Sequence, residues 1–126
     1  MDRAKLLDTL ALVSGGDLLI TSMDFIQWGR DIEFGMRYTI PPFESIPKET
    51  HPFKLIFRDC RELKYKVYAH IAIHELGRIS SVADVVDMSL GQGNHRRDAQ
   101  ILTNLFSTSI AYGNVQVARE SRVYDL

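Results

Sequence analysis

Two groups of side chains in this sequence have types and spacing that could do chemistry. The first is a set of cations with aromatic and imidazole neighbours: Lys54, Arg58, Lys64, Lys66, Tyr68 and His70 all fall at even positions of the stretch 52–75. In an extended chain alternate residues share a face, so these side chains form one basic surface. It would suit an anion or an acidic protein partner, and Tyr68 adds a platform on which a base could stack. The second group is His70, His74 and His95 with Asp84 and Asp87, from which the acid and base of a small pocket enzyme could be drawn.

Each group is weighed against a plainer use. Lysines on a sheet face keep it wet and discourage edge-to-edge aggregation. The His70–His74 spacing would put two imidazoles on one face of a helix, but on a strand their Cα atoms stand roughly 13 Å apart, too far to share one ion. No metal is therefore expected. Gly91-Gln92-Gly93 resembles the start of a phosphate-cradling loop, yet Arg96 occupies the place of the third glycine, which leaves a plain turn. Cys60 has Arg58 and Arg61 to lower its pKa and Asp59 and Glu62 to oppose them, and reads as an inert turn residue. No nucleophile elbow or Walker pattern is present, so no catalytic residue and no cofactor are assigned.

The elements that must position these residues follow from hydrophobic period. Phe53, Leu55 and Phe57, then Leu63, Tyr65, Val67, Ala69, Ile71 and Ile73, alternate with polar residues, which predicts a central β-hairpin turning at Cys60. Its register sets Lys54 opposite Lys66, a repulsion that a bound anion would relieve. Residues 2–13 predict a short helix with Leu6, Leu7 and Leu10 as its apolar stripe, stopped by Ser14-Gly15-Gly16. Leu18–Gln27 and Ile32–Ile40 predict a second hairpin through a two-residue turn at Gly29-Arg30, with Phe25 facing Phe34. Pro41-Pro42 ends that hairpin, and the loop to Pro52 is a candidate functional loop.

Val82–Leu90 reads as a strand, and 95–105 fits a helix about as well as a strand. Phe106, Thr108, Ile110 and Tyr112 alternate into a hairpin turn at Gly113-Asn114. Residues 120–126 read as a mobile tail. The expected fold is mainly β: an antiparallel sandwich or barrel-like sheet of six or seven strands with one short N-terminal helix. The alternative is an α+β fold with a second helix near residues 95–105.

With 126 residues, 45% of them hydrophobic and 25% charged, the chain reads as a single domain, 1–126. A formal charge of −1 supplies no global field for nucleic acid or a membrane surface, so neither is an expected partner. The lone cysteine fits a reducing compartment, and the N-terminal apolar run is too short for an export signal, so a cytoplasmic location is expected. The functional expectation is a non-catalytic binding or protein-interaction module that self-associates into a homo-oligomer, in contact with a protein or anionic partner. A small histidine-based enzyme and a weak nucleic-acid binder through Lys64, Lys66, Tyr68, Arg96 and Arg97 are the alternatives.

Overall fold

The computed structural model describes residues 2–68, 82–91 and 97–126. A helix, α1 (Arg3–Thr9), precedes nine strands: β1 (Asp17–Ile26), β2 (Asp31–Ile40), β3 (Glu49–Arg58), β4 (Glu62–Val67), β5 (Ala83–Ser89), β6 (Asp98–Thr103), β7 (Phe106–Ala111), β8 (Asn114–Arg119) and β9 (Arg122–Asp125). They form one sheet in the order β4-β7-β6-β5-β1-β2-β3-β8-β9, with every pairing antiparallel. The mainly β, antiparallel expectation holds, but the described strands number nine rather than six or seven.

The two additional strands come from segments whose pattern misleads. In β6 the buried residues are Ala99, Ile101 and Thr103, while Leu102 faces out at 41% exposure. That outward leucine is what imitates a helical spacing, and the α+β alternative is overturned over 98–103. The expected tail is instead β9, paired with β8 from Arg119↔Arg122 to Gln116↔Asp125. Leu126 then packs on the core and its amide donates to the Val115 carbonyl.

The sheet is not flat. β7 and β3 stand five places apart in the strand order, a separation of about 24 Å at the usual interstrand spacing. Yet Tyr112, the residue after β7, meets Phe57 of β3 edge-on with ring centroids 5.1 Å apart. The sheet therefore curls so that its two halves, β4-β7-β6-β5 and β1-β2-β3-β8-β9, share one apolar core. Phe34, Leu55, Phe57, Met88, Ile110 and Val117 are fully buried there. Helix α1 closes part of it with Leu6, Leu7 and Leu10, as the stripe requires, though the helix ends at Thr9 rather than near residue 13.

The halves meet in two places. Along one seam β1 and β5 share only Leu19↔Asp84 and Ile20↔Ala83. Each strand carries an extra residue beside that seam, Thr21 in β1 and Val86 in β5, and an extra residue bends a strand and reverses which parity faces inward. Hence Leu18 and Ile20 face in before the first bulge and Met23 and Phe25 after it. In β5, Ala83 and Val85 give way to Met88 and Leu90. No strict alternation could have anticipated this.

At the other meeting point two strands cross together. β3 pairs with β8 up to Arg58↔Asn114, and β4 pairs with β7 from Glu62↔Ala111, so one antiparallel ribbon runs out of one half and into the other. Asp59-Cys60-Arg61 lies against Tyr112-Gly113 at the bend, and the additional residue is accommodated by Asp59 at φ 54°. Bends of this kind are how strands pass between packed sheets at a corner. Both expected hairpins, at Cys60 and at Gly113-Asn114, are thereby overturned. Each edge of β3 is taken by β2 and β8, so β4 has no edge of β3 to join.

Candidate binding cleft

The corner separates the residues of the expected basic surface. Lys54 lies on β3 opposite Gly35 and Ala118, with its Nζ 3.7 Å from Glu33. Arg58 is committed to the bend: its Nε donates to Gln116 Oε1 at 2.7 Å and its Nη1 to Asp31 Oδ2 at 3.1 Å. Lys64 and Lys66 lie on β4 opposite Ser109 and Ser107, so Lys54 does not face Lys66 and the expected repulsion is absent. Tyr68 follows β4, its amide donating to the Leu105 carbonyl. His70, His74, His95 and Arg96 lie outside the described residues. Asp84 and Asp87 are exposed on β5, where the Asp84 amide donates to Asn104 and Asp87 Oδ1 accepts from the Met88 amide. Arg97 donates to the Gly113 carbonyl.

What the fold assembles instead is a cleft of about 260 Å³ between the β1–β2 loop and the corner, lined by Phe25, Trp28, Ile32, Cys60 and Leu63 with Arg30, Arg61 and Glu62 toward its rim. The loop is longer than the expected two-residue turn. Ile26↔Asp31 is the last pair, which leaves Gln27 to Arg30 as the connection and sets Phe25 opposite Ile32 rather than Phe34. Gln27, Trp28 and Gly29 all take positive φ, at 51°, 64° and 95°. The Arg30 carbonyl accepts the Cys60 amide at 2.7 Å, and this bond docks the corner onto the loop. Asp31 holds the joint from below, accepting from the Asp59 amide as well as from Arg58.

Trp28 is fully exposed, although it occupies a left-handed conformation that disfavours any side chain beyond Gly or Asn. Phe25, on the inward face of β1, is itself 57% exposed because nothing among the described residues covers this end of the core. Arg30 and Arg61 both approach Asp59, at 3.8 and 3.3 Å, but remain more than 70% exposed and are held only weakly. Cys60 points back into the corner, donating to the Phe57 carbonyl at 3.4 Å. Burial, with the negative charges of Asp31 and Asp59, pushes its thiol up to about 11. It is protonated at neutral pH and is no nucleophile there.

The Pro41–Pro52 loop is also apolar at its tip. Phe43 and Ile46 exchange both backbone hydrogen bonds, at 3.1 and 2.8 Å, and are 68% and 56% exposed. Strand β3 resumes at Glu49, before Pro52. Among the described residues, no three His, Cys, Asp or Glu side chains come together as a metal site would need, and no helix is long and apolar enough to cross a membrane.

The turn expected at Gly29-Arg30 leaves Trp28 as its flanking residue, with no role attached. The available signal was a tryptophan where a tight turn prefers glycine or asparagine. No protein-family model matches the chain and no curated protein sequence matches it, so function is argued from the cleft.

Proposed function

We propose that this protein is a binding module whose corner cleft receives an apolar side chain of a protein partner. The observation that carries the reading is Trp28: a large aromatic, fully exposed, kept at φ 64° in a turn where it packs into no core. Strain retained at a surface position, with no packing to compensate, is characteristic of recognition sites. The size of the cleft supports a side-chain anchor over a whole cofactor, since ligand sites usually start at about 300 Å³. Its composition supports a protein partner, because tryptophan and arginine around a desolvated pocket are the residues on which interfaces most depend. A cytoplasmic, self-associating protein remains part of the proposal.

The chain has one tryptophan, so the site reports on itself. Titrating the folded protein with 8-anilinonaphthalene-1-sulfonate, while following Trp28 emission, should give saturable quenching. In Trp28→Gly, probe fluorescence should show affinity weakened by about fivefold or more, the scale of losing an aromatic anchor. Equal affinity in the two proteins would overturn the cleft as the site.

A further inference from the structure

The cleft continues directly into a strand edge. β4 is the end strand of the sheet, bonded only to β7 among the described residues. The amide of Tyr68 donates to Leu105 in continuation of the β4–β7 register, which identifies the even-numbered residues as those bonded to β7. Alternation then directs the backbone groups of Leu63, Tyr65 and Val67 away from β7, to the side of β4 on which no described strand lies. Tyr65 and Val67 are also 49% and 56% exposed, on the inward-facing side of the strand.

Resting on the reading of the cleft as a protein-binding site, we propose that its partner is a second copy of this chain, joined by antiparallel pairing of β4 with the partner's β4 about Leu63. A two-fold axis perpendicular to the sheet requires paired residue numbers to sum to an even value, because only then do opposite side chains share a face. Centring on Glu62 or Lys64 sets that charge against itself, and centring on Tyr65 sets Lys64 against Lys66. Among centres within β4, Leu63 alone sets opposite charges against each other with no like pair: Glu62 meets the partner's Lys64, Lys64 meets the partner's Glu62, and leucine meets leucine. The two ion pairs fall at non-hydrogen-bonded positions, where side chains stand closest. By residue number the same register brings the partner's Tyr65 to the Arg61 end of β4, where the Arg61 amide turns back to the Ala111 carbonyl and the residue lines the cleft. The second copy thus contributes an aromatic ring to each site, and the guanidinium of Arg61 is placed to meet its face.

Sedimentation equilibrium of the full chain tests this. The wild type should be a dimer; Glu62→Lys alone and Lys64→Glu alone should each weaken dimerisation by about tenfold or more, since each creates two like-charge contacts, and the double exchange should restore it to within about threefold. Both positions are exposed and their own contact spans 3.5 Å at the surface, so folding is not at stake. A wild-type monomer at about 100 μM, single variants that dimerise normally, or a double exchange without rescue would each overturn the pairing. Probe binding that depends on Trp28 in a monomeric protein would leave the cleft reading standing and remove only the second copy.

Discussion

The amide of Gly113 donates to the carbonyl of Arg58 at 2.9 Å, and this bond closes the bend at which two paired strands leave one half of the sheet for the other. A Cβ on Gly113 would lie 2.9 Å from both Cβ and Oδ2 of Asp59, which itself is held at φ 54°. Gly113→Ala should therefore cost about 1–3 kcal/mol, the range for overpacking a closely fitted site, measured as a shift of the urea midpoint.

Phe57 touches Phe34 at 5.9 Å and Tyr112 at 5.1 Å, joining the two halves through ring edges. Phe57→Ala should lose about 3–5 kcal/mol, and Phe57→Leu distinctly less, in the same unfolding measurement.

The Cys60 thiol, pushed up from 9.0 to about 11, should alkylate slowly. At pH 8 its thiolate fraction is roughly a hundredfold below that of an ordinary thiol, and iodoacetamide rates should climb until pH approaches 11. Because the folded value lies above the unfolded one, the group stabilises the fold fully below pH 9 and that contribution falls as pH rises toward 11. After burial, Asp31 is the next cause of the shift, so Asp31→Asn should speed alkylation at pH 8 while loosening the Arg58 contact.

Lys54 and Lys66 lie in different halves of the sheet, on either side of the corner. In a double-mutant cycle of Lys54→Ala and Lys66→Ala, stability changes should add within about 0.5 kcal/mol. A hairpin turning at Cys60 would give a coupling from relieved repulsion, so the cycle reads the topology directly.

Trp28→Gly should raise stability by about 0.5–1 kcal/mol as the left-handed strain is released, in thermal unfolding of the same variant that loses probe binding. A gain in stability with a loss of binding separates a recognition residue from a structural one.

Period-2 patterning was enough to mark a mainly β chain and most of its strands, because burial on one face of a pleated strand leaves its record in every second residue: Phe53, Leu55 and Phe57, or Phe106, Thr108 and Ile110, needed no partner to be recognised. The helix stripe of Leu6, Leu7 and Leu10 was equally local. Pairing was not. A short polar segment between two alternating runs serves a hairpin or a corner equally well, and whether Asp59-Cys60-Arg61 is one or the other depends on β8 and β7, which arrive some fifty residues later in the chain. The bulges at Thr21 and Val86 were hidden for the same reason, since an extra residue is defined only against its neighbour strand. The cleft inherits both effects: the bulge turns Phe25 inward, the corner brings Cys60 and Leu63 beneath it, and Trp28 acquires meaning only once its loop is docked on Cys60. Residue type is a local property, whereas a site made of segments thirty residues apart is created by the long-range hydrogen bonds that join them.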